Sequence, residues 1–318
     1  MPFRKNIRTS GPTSRTLLNM NMQDTFPPEI LEIVVEFSSA NKTTLQALSL
    51  VSTSCLALAR KHLFAYITFR PPNSNAYIGG SSARSDARST IPPEPLLGHG
   101  SPCSTLLAII EASKRRRCRL GTFAPFVRHL HIQEGTGILS RWIAADSSLP
   151  PVLRALSNLV SFRLTGLGPM PFFWAHIPVG FRNAITRDVL SQSTLVEVRL
   201  CGIVFEDSNQ VNSLLGPCRG LKTLYLCHSG VQQEGVETDE DVEGFTLDTL
   251  TLGPFAPTLF IRSMLRPSCP IRVNTVRKLC LTVAGNLSDF TRIILASKTL
   301  ETLELVLGNP CERFLFKF

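Results

Sequence analysis

Nine cysteines and six histidines are the side chains of this chain best suited to ligate a metal or attack a substrate. Their spacing argues against both. The cysteines stand at Cys55, Cys103, Cys118, Cys201, Cys218, Cys227, Cys269, Cys280 and Cys311, with no Cys-x-x-Cys among them. They read as free thiols of a reducing compartment, buried as small hydrophobes rather than paired or gathered around zinc. Among the histidines only His129 and His131 stand two apart, and no third ligand is identifiable to complete a metal site with them. There is no Gly-x-Ser-x-Gly elbow, no phosphate loop and no His-Glu-x-x-His. The sequence therefore predicts no catalytic residue, no metal and no cofactor: this is not an enzyme.

What remains is recognition, and the elements that would present it. The strongest regularity is apolar-x-x-apolar-x-apolar, which recurs from Val127, Leu159, Leu195, Leu221, Leu247, Val276 and Leu300. The start-to-start spacings are 32, 36, 26, 26, 29 and 24 residues. Leucine-rich repeats run about 20–29 residues, so the last four fit directly and the first two require insertions. Each copy ends in alternation, as a short strand with one buried face does. Between copies, stretches such as Phe181–Leu190 and Asp289–Ala296 carry apolar residues at helical spacing. The expected fold class is α/β, with about seven irregular strand-helix repeats stacked as a solenoid over residues 105–318. A single unit cannot bury its apolar face alone. A doubly wound sheet would instead show continuous apolar strands and a Gly-rich phosphate loop.

If Leu130 and Ile132 point inward, residues 129, 131 and 133 project from the concave surface, and the same offset selects one stripe from every repeat. Its candidate target-binding residues are His129, His131, Arg163, Glu197, Arg199, Tyr225, Lys278 and Glu304. Positions such as Thr165, Cys201, Gly253 and Val306 fall on the same stripe. Mixed charge with one aromatic suits a protein or peptide partner better than DNA.

The N-terminal part differs. From Phe26, Pro27-Pro28-Glu29 opens a helix with proline in the first turn and an acid at its positive end. Ile30, Leu31, Ile33, Val34 and Phe37 make one apolar face of it. Two more short helices follow, around Leu45–Val51 and Leu56–Phe64. Three helices in so few residues bury too little surface to be stable unaided, so an apolar face left over is a docking surface.

This stretch, through Pro27-Pro28-Glu29-Ile30-Leu31, Leu45, Ser49-Leu50-Val51-Ser52 and Ala59-Arg60-Lys61-His62-Leu63-Phe64, resembles an F-box of the kind that opens fungal F-box/leucine-rich-repeat proteins. Where the family usually has a tryptophan, this chain has Cys55. The resemblance implies a substrate receptor of an SCF-type ubiquitin ligase, cytoplasmic or nuclear. Its F-box would bind a Skp-type adaptor, and through it a cullin, while the repeats bind a protein target. It singles out Pro27, Ile30, Leu31, Val34, Leu50, Val51 and Leu63 as adaptor contacts. The alternative is a leucine-rich-repeat scaffold, or a basic nucleic-acid-binding protein, whose degenerate F-box no longer docks.

Charge placement bears on that choice. The net charge is +9, of which residues 1–25 hold +3, 26–69 hold 0, 70–125 hold +5 and 126–318 hold +1. The excess sits in an N-terminal tail (1–25) and in residues 70–125, chiefly in the run Lys114–Arg119 that follows a Pro/Ser/Gly-rich linker (70–104); tail and linker have compositions that cannot build a core. The repeats carry an acidic insert, Glu234 to Glu243, read as a solvated loop. Nucleic acid is thus an unfavoured partner, and no apolar run approaches the roughly 18 residues that span a bilayer. The apolar tail Phe314–Phe318 has no polar capping unit before it, so the solenoid's end is expected to be truncated or covered by a partner.

Overall fold

The computed structural model describes residues 27–71, 101–115, 123–135, 142–166, 172–235, 244–254, 258–283, 287–307 and 313–318. The tail 1–25, linker residues 72–100, positions 116–119 of the basic run and 236–243 of the acidic insert lie outside the described residues. The chain divides into two compact units, Met1–Leu63 and Phe64–Phe318.

In the first unit, α1 (Pro28–Phe37), α2 (Lys42–Ser49) and α3 (Thr53–Leu63) pack around Val35, Leu45 and Ala59, with Leu48, Leu58 and Leu63 against them. Proline stands in the first turn of α1, where its missing N–H costs nothing. The Asn41 side chain accepts the Thr44 N–H at 3.1 Å and starts α2, and Ser52 Oγ does the same for the Cys55 N–H at the start of α3. The buried residue of α1 is Val35, which is not among the apolar positions that the sequence pattern groups together. Leu31 and Val35, four apart, turn toward the other helices; the stronger stripe of Ile30, Ile33, Val34 and Phe37 is left exposed. With so small a core, single caps matter. Asn41→Ala should lower the stability of this unit by about 1 kcal/mol, and Asn41→Asp should be close to neutral, as read by the denaturation midpoint of the helical signal.

The second unit is mixed α/β. Its strands are β1 (Tyr66–Phe69), β2 (His129–Gln133), β3 (Ser161–Thr165), β4 (Phe172–Phe173), β5 (Glu197–Cys201), β6 (Ile203–Asp207), β7 (Thr223–Cys227), β8 (Gly230–Gln233), β9 (Phe245–Thr246), β10 (Thr249–Leu252), β11 (Ile271–Arg272), β12 (Lys278–Val283), β13 (Thr302–Leu307) and β14 (Arg313–Lys317). Its helices are α4 (Pro102–Arg115), α5 (Trp142–Ala145), α6 (Leu149–Ala155), α7 (Val179–Asn183), α8 (Ser208–Leu215), α9 (Thr258–Met264) and α10 (Leu287–Ala296). α7 continues through Val189 in wider π turns.

Nine strands form one sheet in the order β1-β2-β3-β5-β7-β10-β12-β13-β14, parallel throughout except for the last pair. The pattern residues fall in register: Leu130, Phe162, Val198, Leu224, Leu250, Leu279 and Leu303 are successive partners, and all are buried. They share one core with Leu149, Val152, Phe181, Ile185, Leu214, Ile261 and Ile293 of the helices, so helices cover one face of the sheet. Side chains satisfy the backbone where a strand begins: Gln192 donates to Leu156 O at 2.7 Å and accepts the Leu159 N–H at 2.9 Å.

Three features differ from the sequence reading. The sheet begins at Tyr66 in β1, which pairs with β2, so Phe64–Phe69 belong to the second unit and not to a helical domain spanning 26–69. α4 starts at Pro102, inside the segment read as linker up to 104, because Ser101 Oγ caps it by accepting the Ser104 N–H at 3.0 Å. The apolar tail is β14, antiparallel to β13, and it forms the last strand of the sheet with Phe314, Leu315 and Phe316 exposed.

Candidate functional site

Two surfaces carry the residues singled out above. The first is the face of the nine-stranded sheet opposite the helices. Alternation along each strand sends every second residue there, and the parallel register lines them into two rows. One row reads Tyr66, His129, Ser161, Glu197, Thr223, Thr249, Lys278 and Thr302. The other reads Thr68, His131, Arg163, Arg199, Tyr225, Thr251, Cys280 and Glu304. All eight residues expected on this stripe, His129, His131, Arg163, Glu197, Arg199, Tyr225, Lys278 and Glu304, lie in these rows, half-buried or exposed. The third position of the stripe behaves differently. Thr165, Cys201, Gly253 and Val306 are buried, Thr165 beneath the His131 and Arg163 side chains that bond its hydroxyl, whereas Gln133, Cys227 and Thr282 at the same offset are half-buried. That expectation of exposure is corrected.

The face has three zones. At one end Tyr66 stacks on His129 with ring centroids 4.1 Å apart and planes 6° from parallel. His131 Nε2 lies 3.0 Å from Thr165 Oγ1, to which Arg163 Nε also donates at 3.3 Å. Partial burial, aided by Arg163 and Arg70, pushes the His131 imidazole down to about 4, and burial also lowers His129 against the pull of Glu197. Both rings are therefore neutral at physiological pH. They carry no charge to the face and hold no third metal ligand; no group of three His, Cys, Asp or Glu suited to a metal exists among the described residues.

The centre is cationic and aromatic. Arg163 and Arg199 are register partners, so two cationic side chains leave adjacent backbone positions on this face. Arg199 pairs with Glu197 of its own strand and lies over the Tyr225 ring at 5.7 Å. The far end, with Thr249, Thr251, Lys278, Cys280, Thr302 and Glu304, is small and polar.

No family model matches the chain, and no curated protein matches it.

The second surface is on the helical unit. Pro27, Ile30, Val34, Leu50 and Val51 are exposed, Leu50 at 87%, and Ile33 at 50% and Phe37 at 89% join them. Leu31 and Leu63 are half-buried, Leu63 against the small core. The structure therefore sorts the seven residues into five that are open to a partner and two that also serve the interior. Cys55, at the place where the resemblance has tryptophan, is buried.

Sequence reasoning missed Tyr66 and Thr68. The signal was present: Phe64-x-x-Ile67-x-Phe69 is an eighth copy of the repeating pattern, concealed at the end of a segment read as helical.

Proposed function

We propose that this chain is the substrate-recognition subunit of an SCF-type ubiquitin ligase, with an N-terminal F-box that docks to a Skp-type adaptor and leucine-rich repeats that receive a protein target. The observation that carries the reading is the exposed apolar stripe Ile30, Ile33, Val34, Phe37, Leu50 and Val51 on a three-helix unit whose own core is only a few residues. So much apolar surface on so small a unit is stable in water when a partner covers it. The registered rows of the sheet supply the other half: a mixed polar face with one cation–π pair and little net charge suits a folded protein or peptide better than nucleic acid. The adjacent Arg163 and Arg199 are where an acidic side chain of the target would be received. In this role the chain contributes proximity rather than bond chemistry. No helix among the described residues is long and apolar enough to cross a membrane.

The test uses exposed positions, so that folding is spared. The intact chain is expected to co-purify with a Skp-type adaptor, and Val34→Asp with Leu50→Asp to weaken that association at least tenfold while the helical signal and melting profile stay unchanged. Retention of the adaptor by the folded double variant removes the docking assignment. Binding to DNA or RNA that weakens steeply with salt would replace it with the nucleic-acid reading.

A further inference from the structure

The sheet carries a pair of thiols that target recognition does not use. Cys201 ends β5 and Cys227 ends β7, and the two are register partners on neighbouring parallel strands. Neighbouring strands lie about 4.8 Å apart, within the roughly 4.4–6.8 Å that a disulfide allows between Cα atoms. The two are free thiols, and Tyr225 stands two residues before Cys227 on the same face of β7. Cys201 is buried and Cys227 half-buried. On the other side of Cys227 stands Gly253, where a Cβ would lie 2.7 Å from the Cys227 sulfur. A side chain at 253 would press on that sulfur, and glycine avoids the clash.

We propose that Cys227 and Cys201 are a peroxide-responsive pair, in which Cys227 attacks hydrogen peroxide and Cys201 resolves the product to a disulfide. The Cys227 sulfur attacks one peroxide oxygen, an S–O bond forms as the O–O bond breaks, and the departing hydroxide takes a proton and leaves as water. Cys227 is then a sulfenic acid. The Cys201 sulfur attacks the Cys227 sulfur, S–S forms as S–O breaks, and the hydroxyl leaves as a second water with the Cys201 proton. Two thiols lose two electrons, and one peroxide becomes two waters.

The order of the two cysteines follows from their surroundings. Side-chain interactions with Cys201 and Tyr225 and the charge of Arg163 favour the Cys227 thiolate over the opposing effect of burial and bring it down to about 6. Interaction with Cys227, with burial, pushes Cys201 up, and burial, with the same interaction, pushes Tyr225 up to about 12. The thiolate is thus favoured on Cys227, the half-buried member of the pair, over the buried Cys201. Side chains in register on parallel strands point the same way, so closing the bond must draw the two Cβ atoms inward; the link is strained and thiol reductants reverse it readily.

The intact, fully reduced chain tests this. Because the thiolate is the reactive form, iodoacetamide should label Cys227 with a half-maximal rate near pH 6 and, at pH 7, at least tenfold faster than Cys280, the other half-buried thiol on this sheet. Stoichiometric hydrogen peroxide should then yield a peptide linked through Cys201 and Cys227. In Cys201→Ser, a Cys227 sulfenic acid should accumulate and be trapped by dimedone; in Cys227→Ser, Cys201 should remain a thiol. Labelling of Cys227 no faster than Cys280, or peroxide treatment that leaves both thiols free in the wild type, overturns the proposal. Direct conversion of wild-type Cys227 to sulfinic acid without the Cys201 link overturns the resolving role. None of these readouts depends on an adaptor or a target.

Discussion

Leu224→Asp should unfold the sheet-bearing unit, whereas Thr223→Asp, one residue earlier on the same strand, should leave it folded. Leu224 is fully buried in β7 between Val198 of β5 and Leu250 of β10, both also fully buried. Truncating such a leucine costs about 2–5 kcal/mol, and a carboxylate in its place must either stay ionised without a partner or take up a proton, each at a further cost of several kcal/mol. The total exceeds about 5 kcal/mol and rivals the roughly 5–15 kcal/mol that holds a typical domain together. Thr223 lies on the opposite, half-buried face, where a substitution of this kind costs under about 1 kcal/mol. Far-UV circular dichroism with denaturant titration separates the outcomes. Equal tolerance at both positions would mean that the faces of β7 are assigned wrongly, and with them the rows of the candidate site.

That contrast is legible in the amino-acid sequence, because a parallel sheet of repeats imposes one period and one register on every copy. The offset that puts Leu130 inward puts His129 and His131 outward, and it transfers unchanged to Arg163, Arg199 and Tyr225 through backbone pairing. What is not legible lies where the pattern meets something else. β1 is separated from the next copy by the long segment after Phe69, so no spacing joins it to the others, and its four residues are absorbed by the helical motif before them. β14 carries three consecutive apolar residues, Phe314, Leu315 and Phe316, but nothing in its sequence says that it pairs antiparallel with β13.

The site is legible to the same degree. Row membership depends on local alternation and can be read; burial at the third stripe position cannot, because it depends on neighbouring side chains, such as His131 and Arg163 over Thr165, and differs between Cys201 and Cys227. Cys201 and Cys227 are 26 residues apart in the chain, and no local motif marks them as a pair. Their meeting follows from the repeat length, which matches the spacing between the copies from Leu195 and Leu221. On the helical unit, the apolar stripe of α1 is visible in the sequence, but which part of it faces inward is decided by Val35 packing with Leu45 and Ala59.

Gly202→Ala should cost about 3 kcal/mol or more, and it is the corner after β5 that sets the size of the effect. Gly202 separates β5 from β6 with φ +70°, a conformation in which an added Cβ is strained whatever the space around it. Space is also lacking, since a Cβ would sit 2.2 Å from the carbonyl oxygen of Gly166. That contact is with backbone, which cannot rotate away. The Gly166 N–H donates to Cys201 O and the Gly202 N–H donates to Cys227 O, both at 2.8 Å, while Gly202 O accepts the Phe172 N–H at 3.2 Å. Relief of the clash would therefore have to break the ladder that carries the main sheet into the small sheet of β4, β6 and β8. Gly180 in α7 is the matched control: its φ is not positive and nothing lies within 4 Å of a Cβ there, so Gly180→Ala should be neutral or stabilise by up to about 1 kcal/mol. Thermal denaturation of the two variants should move in opposite directions or, at Gly180, not at all. A Gly202→Ala variant as stable as the parent would mean that β5 and β6 are joined by a different turn, and that Cys201, next to it, is not held where its pairing with Cys227 requires.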